Sequence, residues 1–155
     1  MATQRYIGIR NGIVVCVDGK KDSDIYGSFY HFYSKDGFAF HSFEDLLGQC
    51  QSFFDEMQFP FAGNSRRSFT GEKIEYRRPV EREKIMKDEE LLEKKGDLGT
   101  FIIRVQHRQN SSWQGRITWL EEDKTLNFRS VWEMMKLIDS AMKPYTKDEE
   151  DTPDW

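Results

Sequence analysis

FIIRVQHRQNSSWQGRITWLEEDKTLNFRSVWEMMKLIDSAM, residues 101–142, lies without a gap over IVVCVDGKKDSDIYGSFYHFYSKDGFAFHSFEDLLGQCQSFF, residues 13–54, at a shift of 88 positions. Identities fall at Val17/Val105, Ser23/Ser111, Gly27/Gly115, Phe40/Phe128, Ser42/Ser130 and Ser52/Ser140. Conservative matches join them: Val14/Ile102, Val15/Ile103, Lys20/Arg108, Asp22/Asn110, Phe29/Ile117, Leu46/Met134 and Leu47/Met135. The expectation is an internal duplication of one structural unit, the competing reading being two unrelated segments that share a pattern.

Each stretch reads as strand, strand, strand, helix. Phe101, Ile103 and Val105 alternate with Ile102, Arg104 and Gln106, and Ile117 and Trp119 alternate with Arg116, Thr118 and Leu120; a period of two is that of a strand. The polar run around Gln109–Ser112 predicts a short hairpin loop, and short third strands are expected at Gly37–Phe40 and Thr125–Phe128. Ser42-Phe-Glu-Asp45 and Ser130-Val-Trp-Glu133 both fit the capping pattern S-x-x-[DE], in which the acid reaches back to the serine's own amide. Helical stripes follow, Phe43, Leu46, Leu47, Cys50, Phe53, Phe54, Met57 and then Val131, Met134, Met135, Ile138, Ala141, Met142, each stopping before a proline, Pro60 or Pro144. Gly27 and Gly115 are expected where backbone passes closely or a bulge bends the strand. A unit of roughly 42 residues has a thin core, so the expected architecture is α+β: two fused β-β-β-α repeats forming a pseudo-two-fold dimer, with a helical connector.

The boundaries follow from composition. Residues 1–57 form the first unit, 58–100 a basic loop and charged connector helix, 101–143 the second unit, and 144–155 an acidic disordered tail ending in Trp155. Within the connector, residues 63–78 hold five basic and two acidic side chains and read as a surface loop. Residues 79–96 read as a helix with proline first and glycine last, and with a narrow apolar face of Ile85, Met86, Leu91 and Leu92. The net charge of −4 over 155 residues argues against a general nucleic-acid coat protein. No stretch has the ~20 apolar residues of a membrane span, and the N-terminus lacks the zones of a secretion signal. Two cysteines, Cys16 and Cys50, exclude a disulfide framework and an all-cysteine zinc site and fit a reducing cytosol. The chain is therefore expected to be cytoplasmic.

Catalytic chemistry is thinly represented. His31, His41 and His107 show no metal-ligand spacing, Cys50 sits on an apolar helix stripe as a core thiol, and no glycine-rich phosphate loop is present. Neither enzymatic activity, a metal nor a cofactor is expected. The second unit is richer in arginine and tryptophan than the first, and those residues dominate binding hot spots. On a regular strand Arg104, Gln106 and Arg108 face away from Phe101, Ile103 and Val105, so Arg104, Arg108, Asn110, Ser112, Trp113, Arg116 and Arg129 form a candidate partner- or ligand-binding face; a plain polar surface is the competing reading. Arg66, Arg67, Arg77 and Arg78 in the basic loop are candidate nucleic-acid contacts.

Arg104 and Arg108 followed by Asn110-x-Ser112-x-x-Gly115 resemble the two short motifs of PilZ domains, which bind cyclic di-GMP. That resemblance implies arginines gripping phosphates and a second motif cradling a guanine; the family places its arginines well upstream of that motif, whereas here the two nearly touch. Residues 101–142 also resemble short uncharacterised proteins of Gram-positive gut anaerobes in their HRQN, WQG and FRS signatures and closing amphipathic helix, which implies a bacterial or phage origin. The leading expectation is a small non-enzymatic binding protein that regulates or inhibits a macromolecular partner, protein or ribonucleoprotein, in the manner of a mobile-element or phage accessory protein. A nucleotide-sensing module for a cyclic dinucleotide and a weak nucleic-acid binder are the alternatives, and a second copy of the chain is a further candidate partner.

Overall fold

A computed structural model describes residues 7–22, 24–60, 78–109 and 112–142. The fold is α+β. Its frame is one six-stranded antiparallel sheet in the order β3-β2-β1-β4-β5-β6, built from β1 (Ile13–Lys21), β2 (Asp24–Tyr30), β3 (Phe38–Phe40), β4 (Gly99–Gln109), β5 (Ser112–Trp119) and β6 (Lys124–Phe128). Helices α1 (Phe43–Met57) and α3 (Val131–Met142) follow the third strand of each meander.

The two meanders join through their first strands. Ile13 pairs with Ile103, Val14 with Ile102 and Val15 with Phe101, all almost wholly buried. Those aliphatic runs are long enough to cover both faces of a central pair, so the pattern there is continuous rather than alternating. Pairing within the meanders runs in step. Val15↔Phe29, Cys16↔Ser28 and Val17↔Gly27 in the first correspond, 88 residues on, to Ile103↔Ile117, Arg104↔Arg116 and Val105↔Gly115 in the second. The register slips at the same place in each, between Val17 and Gly19 and between Val105 and His107.

Both helices begin alike. The Ser42 hydroxyl accepts from the Asp45 amide and the Ser130 hydroxyl from the Glu133 amide, each at 3.0 Å. The acids, however, accept from the residue before the cap, not from the serine as the capping pattern predicts: His41 N–H donates to Asp45 at 2.9 Å and Arg129 N–H to Glu133 at 2.7 Å. A strand side chain completes each start, Asp24 accepting from the Phe43 amide at 2.8 Å and Ser112 from the Val131 amide at 3.0 Å. The orphan donors of the first turn are thus tied to the sheet.

On the opposite face, Val14, Cys16, Thr100 and Ile102 are also buried; there the Thr100 hydroxyl accepts from the Gly96 amide and Arg104 reaches the Ile7 carbonyl. The connector differs from expectation. Its helix, α2, runs only from Asp88 to Leu92. Upstream, the backbone bonds outward instead of along a helix: Val80 N–H donates to the Met57 carbonyl, and the Ile85 and Met86 amides both donate to the Phe32 carbonyl. That path sends Met86 and Leu91 into the core and leaves Ile85 exposed. A narrow stripe of apolar residues gives a helix little to bury, whereas an open path with one turn reaches the sheet. The 78–98 stretch therefore contributes Met86 and Leu91 to the core instead of standing beside it as a charged rod. The basic loop through residue 77, including Arg66, Arg67 and Arg77, lies outside the described residues, as does the tail with Trp155.

The two strand glycines answer to the register slips. A Cβ on Gly27 would stand 2.0 Å from the Cys16 carbonyl oxygen, and one on Gly115 would stand 1.9 Å from the Arg104 carbonyl oxygen. Both obstacles are backbone, so no rotamer change relieves them. Gly27→Ala and Gly115→Ala are each expected to cost about 1–3 kcal/mol or more, read as a lowered urea midpoint; Gly48→Ala, where a Cβ meets nothing within 4 Å, is the comparison that should be neutral or stabilising.

Candidate functional site

The seven residues expected to share one face do not. β4 carries one extra residue at the slip between Val105 and His107, and in a pleated strand one extra residue reverses the facing of everything beyond it. Arg104, before the slip, stays on the face away from α1 and α3; its Nε donates to the Ile7 carbonyl at 2.7 Å and Nη1 to the Thr118 hydroxyl at 2.9 Å. Arg108, after the slip, pairs with Trp113 and turns under α1. Its Nε donates to the Pro60 carbonyl at 2.7 Å, Nη1 meets the Asp55 carboxylate at 2.9 Å, and its guanidinium carbon lies 5.6 Å from the Phe54 ring centre. Arg108 is 5% exposed. The outer-face expectation for Arg108 is corrected by that single bulge residue.

Trp113 is corrected with it. It is buried, packs edge-on against Phe54 with ring centres 5.2 Å apart, and its Nε1–H donates to Gln51 at 3.3 Å. Ser112 is occupied by the start of α3. Arg116 and Arg129 remain exposed, Arg129 contacting Glu133 at 3.6 Å. Asn110 lies outside the described residues, and Arg78 is exposed at their margin. Arg104 and Arg108, the pair that resembles a phosphate grip, lie on opposite faces of the sheet.

The buried polar groups serve packing. His31 lies between two aromatic rings, 4.1 Å from Phe53 at 1° and 5.1 Å from Phe38 at 23°. Its Nδ1 accepts from the Tyr33 amide at 3.0 Å. Burial, and then the Arg82 charge, lower its pKa to about 4. Burial pushes the Cys16 thiol up to about 12, with Asp18 and Glu121 adding to the effect, and burial raises Cys50 further still. Neither sulfur is poised as a thiolate nucleophile. Among the described residues no group of three or more histidine, cysteine and acidic side chains is placed to hold a metal ion, and no helix is long and apolar enough to cross a membrane.

A different surface stands out. Trp132, in the first turn of α3, is 61% exposed. It stands at the rim of a groove of about 260 Å³ between α3 and the start of α1, floored by Ile25, Phe43, Met135 and Ile138. Asp24, Lys136 and Asp139 supply its polar margin, and the Lys136 ammonium sits 5.2 Å from the Trp132 ring centre. The helical periodicity contained the signal: Trp132 is off the stripe of Val131, Met134, Met135, Ile138, Ala141 and Met142, so its ring has no place in the core. Tryptophan on the polar side of a helix is a stronger hint of contact than arginine on a strand whose bulge is unseen.

Compared with protein-family models, curated proteins and solved structures, the chain matches none.

Two outcomes are expected from this geometry. Asp55→Ala leaves a buried guanidinium with one carbonyl partner and should cost about 1–2 kcal/mol by urea unfolding; Arg108→Met made in that background should recover part of the loss, because the charge that lacks a partner is then gone. His31 gives a pH dependence of known sign. Its folded pKa of about 4 lies below the ordinary 6.5, so the unfolded chain takes the proton first. Its contribution is complete above pH 6.5 and is lost as pH falls from there to about 4, on the order of 3 kcal/mol in all. Ring NMR should show one histidine titrating near 4; if every imidazole titrates near its ordinary value, the buried neutral state is wrong.

Proposed function

We propose that the chain is a pair of fused β-β-β-α repeats related by a pseudo-two-fold axis, and that it acts as a small non-enzymatic binding protein that regulates or inhibits a macromolecular partner. The repeat reading is supported by the constant offset of 88 in strand pairs, slips, cap bonds and close-packed glycines. It is supported too by the central register, where Ile13↔Ile103 and Val15↔Phe101 exchange under that same offset around Val14↔Ile102. An ancestral homodimer of the single unit would pair its first strands in this way.

The binding reading rests on one observation: Trp132 stands exposed at the lip of an apolar groove, flanked by charge of both signs. An aromatic side chain at the margin of an apolar depression with a polar rim has the anatomy of an interaction hot spot. A protein partner, alone or within a ribonucleoprotein, fits better than free nucleic acid because the groove margin includes Asp24 and Asp139. Nucleotide sensing by Arg104 and Arg108 is disfavoured by their separation onto opposite faces. The size, acidity and cysteine usage suit a cytoplasmic accessory protein of a phage or mobile element.

The test is capture from the native host with immobilised wild-type and Trp132→Glu chains. Trp132 is largely exposed, so the variant is expected to keep its melting temperature. A stoichiometric protein recovered by the wild type in high salt and lost by Trp132→Glu supports the reading. Equal recovery by both, or recovery of neither, counts against it, and complexes that dissolve as salt rises would point to nucleic acid.

A further inference from the structure

Among the described residues the sheet ends on the second-meander side at β6, whose residues Lys124, Thr125, Leu126 and Asn127 are exposed. The other end, β3, is only three residues long, and shortness is one way to blunt an edge. β6 has five residues and pairs with β5 in unbroken register, with neither proline nor bulge to discourage a further strand.

We infer that β6 is the seat of a two-fold contact between two copies of this chain, joining their sheets edge to edge. The sequence across the edge, DKTLNFR at 123–129, complements its own reverse. Laid antiparallel on itself about Leu126, it sets Leu126 beside the partner's Leu126, Thr125 beside the partner's Asn127 and Lys124 beside the partner's Phe128. Asp123, in the left-handed turn just before β6, and the partner's Arg129, just past its end, then come to the same end of the joint, twice, and no like charges are opposed. Cross-strand pairs of this kind are the unit of sheet stabilisation, and an isologous contact requires such self-complementarity.

The helix layer agrees. α3 packs on β5 and β6. A second β6 brings its own α3 two strand-widths away, roughly 10 Å, which is helix-packing distance. The space it enters is a groove of about 210 Å³ beside α3, lined by Phe101, Ile117, Leu126, Leu137 and Ala141. Leu126, 55% exposed, faces this groove, and the small side chains Ser140 and Ala141 on that side of α3 permit close approach. The Trp132 groove lies on the opposite side of α3, so the two surfaces can be tested separately.

Analytical ultracentrifugation of the full chain is the experiment. The wild type should show a concentration-dependent dimer. Leu126→Lys, at an exposed position, should weaken it at least roughly tenfold. Asp123→Lys and Arg129→Glu should each weaken self-association roughly tenfold by opposing like charges at both ends. An equimolar mixture of those two variants should associate again, because each substituted side chain then meets its opposite; that recovery also shows both variants to be folded. A wild type that is monomeric throughout, a dimer indifferent to Leu126→Lys, or a mixture that associates no better than its components overturns the inference.

Discussion

The pairing of β1 with β4 is the constraint on which the molecule depends. Each meander alone has one helix and a strip of sheet too small to bury its aliphatic side chains. Joined through Val14↔Ile102 and the pairs beside it, the two share a central strand pair whose side chains are buried on both faces. Burial on both faces is what lets the centre be apolar throughout. Ion pairs tie the layers across the junction: Lys20 at the end of β1 reaches Asp139 on α3, and Arg108 at the end of β4 reaches Asp55 on α1. Each strand is thereby fastened to the helix of the other meander.

The slips at Val17/Gly19 and Val105/His107 have consequences beyond the strands they interrupt. They turn the far end of each first strand toward the helix layer. In β1 the basic residue so turned is Lys20, whose partner Asp139 is half-exposed. In β4 it is Arg108, which is buried and stacks on Phe54 with a carbonyl and a carboxylate to satisfy it. A planar, delocalised cation tolerates that environment better than an ammonium. Arginine at this position is explained by the fold, and its loss would disturb packing before it disturbed any partner.

What the core leaves uncovered lies around α3. α3 is open on both flanks, toward α1 where Trp132 stands and toward the sheet edge where Leu126 lies. The corresponding flank of the first meander is better filled, because His31, Phe38 and Phe53 form a stacked aromatic wall against α1. Two meanders with one pattern of hydrogen bonds therefore present unequal surfaces, and the difference resides in side chains at matching positions.

Local chemistry in the sequence determined the elements themselves. Period-two alternation marked the strands, S-x-x-[DE] and the apolar stripes marked α1 and α3, and the glycine pair marked close backbone approach, because each of these depends on neighbours within a few residues. The seating of Arg108 and Trp113 was not legible, since Gly115 marks a close approach without saying which strand carries the extra residue, and the polar His107 and Arg108 beyond the slip offer no apolar alternation to show the reversal. The connector departs from its own pattern for a related reason: its apolar residues suit a weak helix in isolation, but the Phe32 carbonyl takes the Ile85 and Met86 amides and the core takes the Met86 and Leu91 side chains. Which strand ends the sheet and which arginine is buried were decided only by tertiary structure, because facing and burial on a strand are set by what lies across it and not by what lies along it.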